Sequence, residues 1–241
     1  MYLTCFRFNT ARPGARKLLT SPQATHAGVM SAFPTLLPTQ DSAPRVLWRL
    51  DRNAKAENLL YIVSPDKPDL THLVEQAGWP AAAAAGTPGW QTYDYTAFLN
   101  SLSQGSTWSF RLTANPVHYA RVKDGAPTKR TAHRTPTHQI GWLLDTDRQQ
   151  RCGFAVLPTP HDKRLTEHGD THQVTVTDHR RLDFAKHEEA TATKNRVQVT
   201  TVTYNGRLQV TDPEALRRAL VQGIGKAKAY GCGLMTLAPL T

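Results

Sequence analysis

Cysteine is scarce. Cys5, Cys152 and Cys232 are the only three in 241 residues. They are far apart, odd in number and form no CxxC pair, which argues against a zinc site or a disulfide framework and fits a reducing, cytoplasmic setting. Long apolar runs are missing too: none approaches the roughly 20 residues of a membrane span. Arg7 and Asn9 break the first apolar stretch, so no secretory leader is expected. The ten histidines are scattered, without HxH, HExxH or His–Cys spacing. His168 and His172 lie four apart in a polar stretch, a weak basis for a metal site. No paired carboxylates accompany a histidine, which argues against a two-metal nuclease. A Walker loop is absent, and the third glycine of a dinucleotide fingerprint would fall on Lys228. Neither metal nor cofactor is expected.

What the chain does have is positive charge. Lys and Arg number 29 against 19 Asp and Glu, a net +10 with an isoelectric point near 9.8. A polyanionic partner follows. The excess is uneven: residues 1–106 carry 9 basic and 7 acidic side chains, residues 107–241 carry 20 and 12. The C-terminal half should hold most of the polyanion footprint. With 39% hydrophobic residues the chain can build a core, as one large domain or two of roughly 100 residues.

The most distinctive stretch is Gly223-Ile224-Gly225-Lys226-Ala227-Lys228-Ala229-Tyr230-Gly231-Cys232-Gly233-Leu234. Before it, Asp212, Pro213 and Glu214 supply helix-start chemistry, and Leu216, Leu220 and Ile224 repeat at helical spacing. After it, Leu234 to Pro239 reads as a short buried strand. A helix C-cap and a tight turn would explain one or two glycines. Four glycines around Lys226 and Lys228 favour a loop whose backbone N–H groups contact phosphate.

In chain order, Met1 to Asn9 reads as a strand and Thr10 to Lys17 as a basic loop carrying Arg12, Arg16 and Lys17. Ser21-Pro22 starts a helix running to about Phe33. Val46–Leu50 and Leu59–Val63 read as strands about a turn at Asn53, Leu70–Ala77 as a helix closed by Gly78, and a short strand near Tyr93 completes a β-α-β-β-α-β unit over residues 1–100. Pro80 to Gly89 reads as a loop. The second unit, 107–241, opens with a strand at Trp108–Thr113. A proline-broken basic segment follows, with Arg121, Lys123, Lys129, Arg130 and Arg134. A helix spans Gln139–Asp147, and short strands are expected at Phe154–Leu157, Gln173–Asp178, Val197–Thr203 and Gly206–Val210. The polar insert between His179 and Arg196 carries Arg180, Arg181, Lys194 and Arg196 and can form a basic β-hairpin along a polyanion. The alternative for both basic runs is a solvated loop. Overall this is an α+β chain with antiparallel sheets. An RNP1-type aromatic strand is missing, so recognition of stem shape and phosphates is expected.

His26 stands apart among the histidines because it lies in the first turns of the Ser21-Pro22 helix. The positive end of a helix dipole disfavours imidazolium and leaves a neutral base. His26, Met30 and Phe33 also fall at i, i+4, i+7, so on pattern alone packing is the stronger reading.

The wording GIGKAKAYGCGLMTLAP resembles the glycine-rich C-terminal signature of the Cas6 superfamily, in its CasE (Cse3) branch from CRISPR subtype I-E systems. MYLTCFRFN, FRLTANPV at 110–117 and GRLQVTDPEAL at 206–216 resemble the same branch in the same order. The resemblance implies two tandem ferredoxin-like (RRM-like) domains and metal-independent cleavage of CRISPR precursor RNA beside a repeat hairpin. It also implies a crRNA product retained with other subunits of a type I-E effector complex. It makes His26 the catalytic residue. Its RNA contacts would be Arg16, Lys17, Lys123, Lys129, Arg130, Arg134, Arg180, Arg181, Lys194 and Arg196, with Gly223, Gly225, Lys226, Lys228, Gly231 and Gly233 of the loop. Some relatives place a tyrosine three residues before the histidine, where this chain has Gln23. Lys17, Arg16 or Ser21 are the substitutes at hand. The alternative is a non-catalytic RNA-binding subunit of the same fold.

Overall fold

The computed structural model describes residues 1–34, 45–53, 55–79, 86, 88–121, 127–166, 170–186 and 195–240. The chain divides into two compact units. The first comprises Met1–Ser101, Val221–Gly223 and Ala227–Leu234; the second comprises Leu102–Leu220, Ile224–Lys226 and Met235–Thr241.

In the first unit the chain forms β1 (Tyr2–Arg7), α1 (Pro13–Thr20), α2 (Pro22–Met30), β2 (Leu47–Arg52), β3 (Asn58–Ser64), α3 (Thr71–Ala77), β4 (Trp90–Asp94) and α4 (Tyr95–Ser101). The strands form an antiparallel sheet in the order β2-β3-β1-β4. Phe6, Trp48, Leu60 and Ile62 bury against Ala15, Leu18, Val29, Leu73 and Ala77 of the helices. Strand alternation puts Leu47, Arg49 and Asp51 on the opposite face. They too are buried, so β2 is covered on both sides.

The first unit departs from the sequence reading in its helices. The stretch read as a basic loop becomes helix α1, because Pro13 sits in its first turn and Ala15 and Leu18 find a core to bury in. Helix α2 starts as expected, with Ser21 Oγ accepting from Ala24 N at 3.2 Å, but it ends at Met30 rather than near Phe33.

The second unit contains β5 (Thr107–Ala114), β6 (Val117–Ala120), β7 (Lys129–Ala132), α5 (Pro136–Leu144), α6 (Thr146–Cys152), β8 (Phe154–Val156), β9 (Val174–Lys186), β10 (Asn195–Val210), α7 (Pro213–Gln222) and β11 (Met235–Ala238). Its main sheet runs β11-β5-β10-β8, all antiparallel, and β9 also pairs with β10. Because β8 meets Leu208–Val210 and β9 meets Asn195–Gly206 on the edge away from β5, the two together fill one strand position. The order then matches that of the first unit. These are two tandem ferredoxin-like domains with antiparallel sheets.

The two strands expected at 197–203 and 206–210 are one continuous strand. Val202, Tyr204, Leu208 and Val210 keep alternating into the core through the polar Asn205, and both edges of the strand are paired. Strand β9 likewise runs past its expected end at Asp178, where a bulge opposite Thr201–Thr203 absorbs the irregularity with Asp178 at φ 53°. The basic segment after β5 contains a two-stranded ribbon, β6–β7. A further helix, α6, lies where the sequence reading placed none.

Among the described residues of the first unit the most deeply buried charge is Arg49, 1% exposed. Its Nε and Nη2 donate to Asp51 Oδ1 and Oδ2 at 2.7 and 2.9 Å, and Nη1 donates to the Leu234 carbonyl at 3.0 Å. Removing one partner of a buried ion pair leaves an uncompensated charge. Asp51→Ala should therefore lower unfolding free energy by about 3–5 kcal/mol in urea denaturation, and a decrease below about 1 kcal/mol would show the pair to be dispensable.

Candidate active site and nucleic-acid interface

Helix α2 presents His26 at the margin of the first core. Thr25 and Val29 on either side are buried, and Thr25 Oγ1 donates to the Leu18 carbonyl at 2.7 Å, which fastens α2 to the end of α1. His26 itself is half-buried, and its Nδ1 is enclosed without a hydrogen-bond partner among the described residues. Burial pushes its pKa below the ordinary histidine value. Desolvation supplies a neutral bias in the direction read from the sequence.

The glycine-rich segment is divided between the units. Ala227–Leu234 belongs with the first, and the short 3-10 turn Lys228–Tyr230 within it packs against α2 and β2. Reading 107–241 as one continuous domain missed this. The reason is physical: the Leu234 carbonyl is claimed by Arg49, and Gly231 lies on Trp48. At φ 80°, a Cβ on Gly231 would stand 2.7 Å from the Trp48 ring. Gly223 and Gly233 also take positive φ. Lys228 is thus carried in the unit that carries His26. Gly225 and Lys226 belong to the second unit, where Gly225 packs on Trp142 and Lys226 Nζ donates to Tyr119 Oη. Packing alone therefore accounts for Gly225 and Gly231.

The remaining basic residues partition sharply. Arg16 Nη1 donates to the carbonyls of Thr10 and Ala11, at 3.1 and 2.7 Å, and so braces its own loop. Lys17 is exposed in the last turn of α1. In the second unit, Lys129, Arg130, Arg134 and Arg181 line a single cleft of about 680 Å³, together with Asn115, Val117, Thr131, Ala132, His179, Gln198 and Thr200. No carboxylate among the described residues lines it. Arg181 Nη2 donates to Gln198 Oε1 at 3.0 Å, and Gln198 Nε2 donates in turn to Asp183 Oδ2 at 3.1 Å, which steadies the guanidinium from outside the cleft. Arg180 points elsewhere, paired with Asp178 at 2.7 Å. Lys123, Lys194 and the side chain of Arg196 lie outside the described residues.

Sequence reasoning overlooked Asn115, His179 and Tyr119. It also missed three histidines that the β6–β7 ribbon and the start of α5 bring together. The ring centroids of His118 and His133 are 4.5 Å apart, those of His133 and His138 5.9 Å. Burial, then the charges of His118, His138 and Arg148, lower the His133 pKa. Among the described residues no group of three or more His, Cys, Asp or Glu could hold a metal ion, and no helix is long and apolar enough to cross a membrane.

Tandem ferredoxin-like units, a half-buried neutral histidine on the first and a cationic cleft on the second define a class of two-domain proteins built to hold a polyanion. The CRISPR associated protein family model matches residues 1–239, and the chain belongs to this family. It is 29% identical over 240 residues to the CRISPR-associated endoribonuclease Cse3 of Thermus thermophilus, spanning 99% of this chain and 100% of that protein. It is 28% identical over 207 residues to the CRISPR system Cascade subunit CasE of Escherichia coli, spanning 80% and 89%. A solved structure of the endoribonuclease Cse3 bound to 19 nt RNA matches with a TM-score of 0.73 at 26% identity, over 99% of this chain and 100% of that one.

The His26 assignment has a direct check. An NMR titration should place its midpoint below the ordinary value of about 6.5. The folded state then binds this proton more weakly than the unfolded chain. His26 therefore adds stability that is fully present above the unfolded pKa and is lost as pH falls through the folded one. A midpoint above about 6.5 would contradict the burial argument.

Proposed function

We propose that this protein is a site-specific endoribonuclease that binds a CRISPR repeat hairpin and cuts the precursor RNA beside it, with His26 as the general base. The observation that carries the reading is His26 itself, kept neutral by burial on a helix of the unit that also holds Lys228. Support for the substrate comes from the relatives: one is named an endoribonuclease, one a Cascade subunit, and a solved one is bound to RNA.

The reaction is an intramolecular transesterification. Neutral His26 removes the proton of a ribose 2′-OH. The oxygen attacks the adjacent phosphorus and the bond to the 5′-oxygen of the next nucleotide breaks; that oxygen takes up a proton from water, and His26 gives its own proton back to water. The products are a 2′,3′-cyclic phosphate and a 5′-hydroxyl. A positioned base contributes roughly 10²–10⁴-fold, and the alignment of 2′-oxygen, phosphorus and leaving oxygen supplies the rest. No metal takes part. Lys17 or Lys228 stabilises the charge gathering on the phosphate, in place of the tyrosine that Gln23 replaces. Lys129, Arg130, Arg134 and Arg181 hold backbone phosphates of the hairpin, which stays bound after the cut and joins a type I-E effector complex in the cytoplasm. A non-catalytic RNA-binding subunit is the competing reading, motivated by Gln23.

His26→Ala should abolish cleavage of a repeat hairpin while leaving its Kd within several-fold of wild type, read on denaturing gels and by anisotropy. Wild-type cleavage should survive EDTA and fail on a substrate with 2′-deoxyribose at the nucleotide before the cut. Near wild-type cutting by the mutant would reduce His26 to a packing residue. As a base, His26 also sets the pH profile: the rate should fall on acidification below about 6.5, whereas a fall as pH rises would make it the acid.

Neutralising Lys129 and Arg130 together should flatten the dependence of log Kd on log salt, by about 0.7 to 0.9 for each phosphate no longer neutralised. An unchanged slope would show the ribbon to be an ordinary solvated surface.

A further inference from the structure

The cationic cleft of the second unit has an uncharged floor, and that floor carries information the arginines do not. Asn115 follows the last residue of β5 and precedes Pro116, which restricts it to extended backbone. It is 4% exposed, it lines the cleft, and its Oδ1 is enclosed with no hydrogen-bond partner among the described residues. A buried amide oxygen without a donor is costly, and such orphans are rare in folded proteins. Around it stand Lys129, Arg130, Arg134 and Arg181, four cations with no carboxylate among the described residues of the lining. Charged groups of this kind bind phosphate whatever the sequence; an amide oxygen, being an acceptor, does not.

We propose that this cleft is a base-reading pocket for one unpaired nucleotide of the bound RNA, with Asn115 Oδ1 accepting a hydrogen bond from an exocyclic amino group of the base. The inference rests on the RNA-binding reading above and deepens it from phosphate recognition to sequence discrimination. The volume of about 680 Å³ lies in the roughly 300–1,000 Å³ range of small-ligand pockets, large enough for a nucleotide. Bases in a paired stem have their Watson–Crick edges engaged, so the occupant is a splayed-out nucleotide from a loop or a flank. Its phosphates meet the arginines, whose guanidinium planes also offer a surface on which the base can stack. Adenine, cytosine and guanine carry an exocyclic amino group. Uracil does not; its one edge donor is the ring N3–H, set between two carbonyl oxygens that face Oδ1 unfavourably, so it satisfies Oδ1 less well.

The test is a panel of repeat hairpins in which each unpaired nucleotide in turn is changed to uridine. Affinities are measured by anisotropy with the full chain in the His26→Ala background, and the RNA is checked for intactness on gels. With Asn115 present, uridine at one position should weaken binding by about tenfold or more, in line with the discrimination of a well-placed amide contact. Asn115→Ala should bring that position to within about twofold of the others. Asn115→Asp, isosteric and still an acceptor, should bind every hairpin less tightly yet keep the preference. A uniform loss across the panel in Asn115→Ala, or an unchanged preference, overturns the proposal. If thermal denaturation shows that the alanine variant does not fold, the aspartate variant decides, and loss of the preference there overturns it as well. Binding of all hairpins without discrimination defeats this inference alone. No binding of any hairpin defeats the RNA-binding reading with it.

Discussion

The buried guanidinium of Arg49 is the constraint around which the first unit and the C-terminal segment are arranged. A cation this deep must be fully partnered. Two of its donors are taken by Asp51 on the same strand, and a third reaches 185 positions along the chain to the Leu234 carbonyl. That single bond between distant parts of the sequence holds the end of the glycine-rich segment against β2. Trp48, next to Arg49 but on the other face of the strand, meets Gly231. Adjacent residues of one strand thus grip the segment from both faces, and the Lys228–Tyr230 turn is carried to α2 as a result. The chain changes unit at Ile224, again at Ala227 and once more at Met235. A tight series of left-handed glycines is what such changes of direction require.

The two functional regions use opposite physics. His26 is half-buried, and desolvation alone depresses its pKa, with no carboxylate contributing to the shift. The cleft instead gathers exposed charge: Lys129, Arg130, Arg134 and Arg181 line it and keep their solvation. Between these extremes lies Asn115, neutral, enclosed and under-satisfied. The proposed roles track this contrast in solvation: chemistry on the desolvated imidazole, affinity on the exposed cations and discrimination on the enclosed amide.

Much of this was open to inspection in the amino acids. Helix α2 declared itself through Ser21 and Pro22, α7 through Asp212 and Pro213, and β1 to β3 through their apolar runs, because capping and alternation act over a few residues. Helix α1 did not. Its opening is polar and basic, and its helicity depends on Ala15 and Leu18 finding a core that the local sequence cannot reveal. The break placed between the halves of β10 failed for a related reason: Asn205 and Gly206 look like a turn until strands on both sides supply partners.

The sequence by itself determined the class of partner and the chemistry on offer: charge balance, scarce cysteine and unclustered histidines are properties of composition and spacing. Together with the family signature they pointed to RNA and to His26 before any coordinate. Only the tertiary structure decided which cations stand together, why His26 is neutral, where the glycine segment lies, and that Asn115 has a dry, unpartnered oxygen. Each of these depends on contacts between residues far apart in the chain, as Arg49 and Leu234 are, and burial is a property of the folded neighbourhood rather than of the residue.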